Sequence, residues 1–402
     1  MKLLDRYRGT GVIKVLSGIR RCGKSVLLKL LKARLLADGV REDNILLLNF
    51  ESVSADELKH FKKLYEYVVN FAAALRGGRL YILLDEVQEV EEWERAVASF
   101  LVDLDCDIYV TGSNASLLSS ELSTRLAGRY VEIPVYPLSF AEYLNFKGAL
   151  WSGKASERAV IKELFIEYLK SGGFPGIHGM KDDDELVRQY IKGIFSSVLL
   201  KDVAQRRGIR DTALLERIAL YLMDNVGNIF SAKSVAGFMR NQGRRLGVET
   251  VYNDIDALAA AYAFYRARRY DIKGKNVLET LEKYYAADLG LRYALLGFRF
   301  DDISGLLENV VYMELLRRGC EVYIGKNGTR EVDFVAVRNG VPRYIQVTYL
   351  MNAKETVERD VGALKDIHDN YEKLIISMDD VFQSDIDGIR WLNVCDFLLC
   401  ME

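Results

Sequence analysis

The stretch GIRRCGKS, from Gly18 to Ser25, decides the fold: a glycine, four residues, then Gly-Lys-Ser is the complete Walker A spacing. Before it, GVIKVLSG is a short apolar run of β type. After it, in SVLLKLLKARLLADG, Leu27, Leu31 and Leu35 recur at helical spacing and Gly39 supplies a stop. Strand, glycine loop and helix are what phosphate binding needs. The glycines let backbone N–H groups curl around phosphate oxygens, and the helix N-terminus adds partial positive charge. This context predicts that Gly18, Arg20, Arg21, Cys22, Gly23, Lys24, Ser25 and Val26 form the nucleotide-contacting set. Lys24 reaches the β and γ phosphates, and Ser25 binds Mg²⁺.

The complement of such a loop is an acid at the end of a buried strand. LYILLDEVQEV provides it, with Asp85 as the second Mg²⁺ ligand and Glu86 to orient and polarise the attacking water. CDIYVTGSN ends in Ser113 and Asn114, polar groups suited to the γ-phosphate or the lytic water. With NILLLNFES and RYVEIPVYPL, the chain carries five β-type runs separated by helical stretches, the pattern of a parallel α/β sheet. Arg125 and Arg129 are the charge-stabilising arginine candidates, in cis or from a neighbouring subunit, with Arg129 preferred. Arg20 and Arg21 either add charge near the phosphates or turn to solvent or an acidic neighbour.

These segments, with LAGRYVEIPVYPLSFAEYL, GGFPGI, KDV and KYYAADLGLRYALLG, resemble the prokaryotic AAA-type P-loop ATPases whose second half is a DUF4143 region. The resemblance spans nearly the whole chain. It implies the additional-strand P-loop fold, and ATP rather than an unspecified nucleotide.

The bulk properties fit. The 402 residues suit two to four domains, and 55 Lys plus Arg against 57 Asp plus Glu exclude a uniformly basic nucleic-acid coat. No apolar run approaches the roughly 20 residues of a membrane helix. No signal-peptide core opens the chain, and five scattered cysteines read as reduced thiols, so the expected location is cytoplasmic.

Residues 145–212 read as helical. Within 213–292, FSAKSVAGFMRNQGRRLGVETVYNDIDALAAAYAFYRARRYDIKGK gives helix, turn, helix and then two β-type pieces, the winged-helix order. Thr250 is expected to cap the second helix. Arg240, Arg244, Arg245, Arg266, Arg268, Arg269, Lys273 and Lys275 make it locally basic, which suits DNA contact. Asp254 and Asp256 on the second helix argue against base reading.

Residues 293–402 resemble the restriction-endonuclease-like fold: a helix with Glu308, then strands with Asp333 and Gln346. That fold's chemistry is metal-assisted phosphodiester cleavage, with a lysine two residues beyond the glutamate. Here Gln346 replaces the glutamate and Thr348 the lysine, so the domain reads as degenerate and nuclease activity is not expected. Lys326 and Lys354 are the candidates for a migrated lysine. WLNVCDFLLCM at the end reads as β type.

The expected architecture is thus α/β: a P-loop ATPase core over 1–144, then helical, winged-helix and endonuclease-like regions. The expected function is a Mg²⁺-dependent ATPase that acts as a nucleotide-driven switch. An ATP-controlled DNA nuclease and a non-hydrolysing ATP-bound interaction module are the alternatives. DNA, an unidentified protein and further copies of the chain are the expected partners.

Overall fold

The computed structural model describes residues 1–115, 126, 128–149, 151–180, 183–241, 247–351, 354–380 and 384–400. They fall into two compact units, Met1–Tyr136 with Ala260–Tyr262, and Pro137–Ala259 with Ala263–Glu402.

The first unit runs α1 (Lys2–Tyr7), β1 (Ile13–Ser17), α2 (Lys24–Ala37), β2 (Ile45–Asn49), α3 (Phe61–Ala73), β3 (Leu80–Asp85), α4 (Trp93–Asp103), β4 (Cys106–Gly112) and β5 (Tyr130–Pro134). Its sheet has the order β2-β3-β4-β1-β5 with all pairs parallel, so this is a P-loop α/β sheet. Side chains alternate across it because the strand period is two. Val15, Ile82, Leu84 and Val110 pack with Leu64, Val68 and Phe100 of α3 and α4. Leu16, Leu83 and Tyr109 face the opposite way, onto Leu28, Leu31 and Leu35 of α2. Both faces are covered, which is why the strands read as nearly continuous apolar runs. Parallel pairing also gathers every strand's C-terminal end at one edge, and Ser17 and Asp85 both end strands there. β4 lies between their strands.

One polar pair interrupts this core. Lys14 and Asp107 form an ion pair with both side chains fully buried. Asp107 also accepts from Gly9 N (2.9 Å) and the Tyr109 hydroxyl (3.0 Å), so the carboxylate's lone pairs are well used.

The second unit begins with α5 (Phe140–Phe146), α6 (Arg158–Ser171), α7 (Asp184–Ser197), a π-helical turn at Val198–Gln205 and α8 (Thr212–Asp224). The GGFP break ends α6 as the glycines require. Gly172 has φ +71°, and a Cβ there would sit 1.8 Å from Asp288 Oδ1. Asp288 is buried; it caps the helix that starts at Leu289 by accepting the N–H of Gly290 (2.8 Å), and it also accepts the N–H of Gly173 (2.6 Å), which ties the GGFP break to that helix start.

Next come α9 (Ala232–Asn241), α10 (Val248–Ala260), β6 (Phe264–Asp271), β7 (Asn276–Ala286), α11 (Leu289–Leu296) and α12 (Ile303–Arg317). The chain ends with β8 (Glu321–Asn327), β9 (Arg330–Arg338), β10 (Val341–Val347), α13 (Lys354–Lys365), β11 (Lys373–Ser377), β12 (Ser384–Ile386), β13 (Ile389–Asn393) and α14 (Val394–Leu399). Helix, helix and hairpin follow in the expected order, but the hairpin is no free wing. The outer edge of β6 pairs with β8, with Arg269 opposite Ile324, so both hairpin strands join one sheet of order β12-β13-β11-β10-β9-β8-β6-β7. An unpaired strand edge next to β8 satisfies its backbone groups there, which joins the 213–292 and 293–402 regions into one unit. The first compact unit runs to Tyr136.

Two local readings also change. Helix α10 starts at Val248, so Thr250 lies inside its first turn instead of capping it. The apolar C-terminal segment is a strand only to Asn393, whose side chain accepts from Cys395 N (2.8 Å) and starts α14.

Candidate functional site

The loop between β1 and α2 is built on left-handed backbone. Gly18, Arg21 and Gly23 have φ of +148°, +68° and +112°. A Cβ on Gly18 would lie 2.1 Å from the Val135 carbonyl oxygen, so the loop's close approach to the end of β5 admits only glycine. Cys22 also faces Val135, donating its thiol to the same carbonyl (3.1 Å), and burial pushes the thiol pKa up. Lys24 opens α2 and is buried, its ammonium donating to Gly18 O (2.8 Å) and Ile19 O (2.9 Å). The loop's positive charge is therefore folded onto the carbonyls of the loop itself. Arg20 turns to an acidic neighbour, pairing with Glu51 at 2.7 Å. Arg21 and Val26 expose their side chains, so only their backbones face the loop.

Asp85, at the end of β3, is the centre of a hydrogen-bonded array. Its Oδ1 accepts from Ser25 Oγ (3.0 Å) and Thr111 Oγ1 (2.6 Å), and its Oδ2 from Asn49 Nδ2 (3.0 Å). Four elements (α2, β2, β3 and β4) thus converge on one carboxylate. Glu86 follows in the left-handed region at φ +55°, uncommon for a residue with a side chain. Its N–H donates to Thr111 Oγ1 (2.9 Å), which fixes the turn. Its carboxylate accepts from Gln88 Nε2 and, at 3.5 Å, from Ser113 Oγ. Burial raises the Glu86 pKa, and the Lys24 cation opposes that rise. Asn114 is buried beside this edge of β4.

The sequence reading found Asp85, Glu86, Ser113 and Asn114 but missed Asn49 and Thr111. Both are polar residues at the C-terminal ends of apolar runs, ILLLN and YVTG, and that was the available signal. It missed Glu132 as well. Ser17 Oγ and the Tyr262 hydroxyl (3.2 Å) both donate to Glu132, bracing the strand that leads into the loop.

The donor set fits a hard divalent cation. A hydroxyl from Ser25 and a carboxylate from Asp85 are the oxygen ligands Mg²⁺ takes alongside water and phosphate. A loop of left-handed backbone closed by a helix N-terminus fits the phosphates themselves.

Arg129 is corrected as a cis candidate. It precedes β5 and its carbonyl accepts from Ile13 N (2.8 Å), so it marks the N-terminal ends of β1 and β5. The loop leaves from the C-terminal end of β1, a strand's length away, roughly 16 Å at about 3.3 Å per residue. Its own chain's site is out of reach. Arg125 lies outside the described residues.

In the second unit, Glu308, Asp333 and Gln346 line one cavity of about 860 Å³. Asp333 N donates to Gln346 Oε1 (3.3 Å), and Asp333 Oδ2 accepts from Val347 N (2.8 Å). Burial pushes both the Glu308 and the Asp333 carboxyl upward, while the ammonium of Lys283 opposes it. Among the described residues, no three His, Cys, Asp or Glu side chains come together as a ready-made metal cluster. Lys326 sits near the end of β8 and does not line the cavity, and the Lys354 side chain lies outside the described residues.

The basic residues near the hairpin are partly neutralised. Arg266 pairs with Asp256 and, at 3.3 Å, with Glu282, whereas Arg268, Lys273 and Lys275 are exposed. Arg240 is in the last turn of α9, and Arg244 and Arg245 lie outside the described residues. Asp254 is buried in α10, and burial raises its pKa to about 6. No helix among the described residues is long and apolar enough to cross a membrane.

Residues 11–144 match the family described as AAA domain. Residues 162–302 match a domain of unknown function, DUF8612, so the expected DUF4143 likeness gives way to a different assignment there. A Haemophilus influenzae protein described as uncharacterized is 38% identical over 399 residues, 99% of this chain and 97% of its own length. The uncharacterized protein MJ1544 of Methanocaldococcus jannaschii is 29% identical over 388 residues, 92% of this chain and 82% of its own. Among solved structures, the Aeropyrum pernix ORC1 protein in complex with DNA is 14% identical. That likeness covers 71% of this chain and 86% of the other at a TM-score of 0.30, too distant to bear on function.

Proposed function

We propose that this chain, which belongs to the same family as the Haemophilus influenzae protein and carries an AAA domain over residues 11–144, binds Mg·ATP, hydrolyses it, and works as a nucleotide-driven switch. The observation that carries this reading is the array in which Ser25, Thr111 and Asn49 all donate to Asp85, with Glu86 next in the chain.

When bound, Mg²⁺ held by Ser25 and Asp85 supplies charge neutralisation to the phosphates. The loop's N–H groups and the α2 N-terminus cradle the phosphate oxygens. Lys24 exchanges its contacts with Gly18 O and Ile19 O for phosphate oxygens, which converts self-capping of the loop into ligand binding. Glu86, held by Gln88 and Ser113, orients the attacking water and accepts its proton as the γ-phosphoryl transfers. Asn114 supports the γ-phosphate side. With Arg129 at the far end of its own sheet, a charge-stabilising role for it requires a second copy of the chain, and the active form is then an oligomer.

The exposed cations Arg268, Lys273 and Lys275 support non-specific DNA contact, and a protein partner is the competing use of the second unit. A cytoplasmic location suits the reduced cysteines. The test is the ATP hydrolysis rate of purified full-length protein, with and without DNA, beside Lys24→Ala and Glu86→Gln. DNA stimulation that vanishes in both variants supports the reading. Absence of ATP binding with Mg²⁺ present overturns it.

A further inference from the structure

The side chains of β10 alternate between the two faces of the C-terminal sheet. Gln346 faces the cavity that holds Glu308 and Asp333, so Val341, Arg343 and Ile345 point the opposite way. The Asn339-Gly340 turn, with φ of +52° and +79°, fixes the register of the β9–β10 hairpin. It sets Arg338 opposite Val341, and residues paired across strands share a face. Arg338 and Arg343 are therefore diagonal neighbours on this second face. A pocket of about 350 Å³ lies there, between the sheet, the C-terminal end of α12 and α14. Its floor is Leu315, Ile345, Leu374 and Phe397, all buried. Arg318, Arg338 and Arg343 stand on its walls, and no carboxylate lines it among the described residues.

The charge around this pocket is not balanced. Glu314 is shared between Arg317 (3.7 Å) and Arg318 (2.9 Å), and Glu372 between Arg343 (3.1 Å) and Arg390. Arg338 is exposed and has no carboxylate partner among the described residues. Five guanidiniums thus meet two carboxylates, a local excess of three positive charges. Arg318 is also held in place. Its Nη2 donates to the carbonyls of Phe397 and Cys400, and its guanidinium lies 4.4 Å from the centre of the Phe397 ring. Its Nε is taken by Glu314, which leaves Nη1 without a hydrogen-bond acceptor among the described residues.

We propose that this pocket binds a small organic anion: a carboxylate or phosphate group carried on a compact apolar body. The planar fork of a guanidinium matches the paired oxygens of either group, and three such forks border one opening. The buried apolar floor receives the body of the ligand and removes its surface from water. The volume is at the lower end of small-molecule pockets, about 300–1,000 Å³, so the body is compact. A nucleic-acid backbone gains from the arginines but has nothing to place on the floor. Arg318, fixed by Glu314 and the α14 carbonyls, is the preorganised contact, while Arg338 is free to close over a bound anion. The pocket shares no residue with the phosphate loop or with the cavity on the other face of β10, so this inference stands apart from the ATPase reading.

The test is a titration of full-length protein, followed by saturation-transfer NMR, with four probes: phenyl phosphate, benzoate, inorganic phosphate and benzyl alcohol. At least one of the two aromatic anions is expected to bind about tenfold or more tighter than inorganic phosphate, which lacks the body, and than benzyl alcohol, which lacks the charge. Whichever of phenyl phosphate and benzoate binds tighter identifies the anionic group. Arg338→Gln and Arg343→Gln are each expected to weaken that binding about tenfold. Arg338 is exposed, so its variant keeps the fold even if the Arg343 variant does not. Inorganic phosphate that binds as tightly as both aromatic anions reduces the site to a basic surface and overturns the proposal. Aromatic anions that do not bind, or whose binding Arg338→Gln and Arg343→Gln both leave unchanged, overturn it as well. Binding that disappears in Lys24→Ala belongs to the phosphate loop and does the same.

Discussion

Ser25 Oγ donates to Asp85 Oδ1 at 3.0 Å, joining the first turn of the helix behind the glycine loop to the end of a strand two positions away in the sheet. Thr111, on the strand between them, donates to the same oxygen at 2.6 Å. The β4 strand therefore acts as a spacer that brings loop and acid to one point, and the sharpest predictions concern what surrounds that point.

Glu86→Gln keeps the size and hydrogen-bonding reach of the side chain but removes its capacity to accept a proton. Nucleotide binding is expected to persist while hydrolysis falls by about 10²-fold or more. A fluorescent ATP analogue titration beside a phosphate-release assay checks both, and an unimpaired rate removes Glu86 from the chemistry.

Gly18→Ala places a methyl against the Val135 carbonyl in a backbone region that side chains avoid. The expected cost is on the order of 1–3 kcal/mol of stability, accompanied by weaker nucleotide binding because the loop must open. Thermal melting with and without Mg·ATP measures both. An unchanged Tm contradicts the fit described between this loop and β5.

Lys14→Met leaves the Asp107 carboxylate buried without its cation, at an expected cost of about 3–5 kcal/mol. Adding Asp107→Leu is expected to recover much of that loss, since two apolar groups replace a pair that both had to be desolvated. Urea denaturation of the single and double variants decides it. A double variant no better than the single one means that Asp107 acts mainly through Gly9 and Tyr109.

Asp254 gives stability a pH dependence. Its folded pKa of about 6 lies above the ordinary carboxyl value, because burial disfavours the charged form and Asp211 adds repulsion. Between about pH 4 and pH 6 the unfolded chain releases this proton while the folded chain keeps it, so stability falls as pH rises through that window. Asp254→Asn is expected to flatten that part of the Tm profile and raise Tm at neutral pH. A profile that keeps its slope in the variant assigns it to another group.

The first unit was largely readable because its determinants are local. The glycine loop needs its residues consecutive, Asp85 and Glu86 are adjacent, and each strand is an uninterrupted apolar run. Thr111 and Asn49 were harder to see, since a single polar residue at a strand end has many uses and only the strand order makes both neighbours of Asp85. For Arg129 the sequence left cis and trans open: it sits close to β5 in the chain, while which end of the sheet it marks depends on the parallel pairing of β5 with β1.

The sequence by itself thus determined that a phosphate-binding loop, its helix and its acidic partner strand exist. Short-range spacing and backbone conformation suffice for that, because each feature is fixed within a few neighbouring residues. Only the tertiary structure decided that the basic hairpin belongs to the C-terminal sheet and that Lys283 stands beside Glu308 and Glu331. Both follow from strand pairing between segments far apart in the chain, and nothing in the local residue pattern encodes which edge a strand will find.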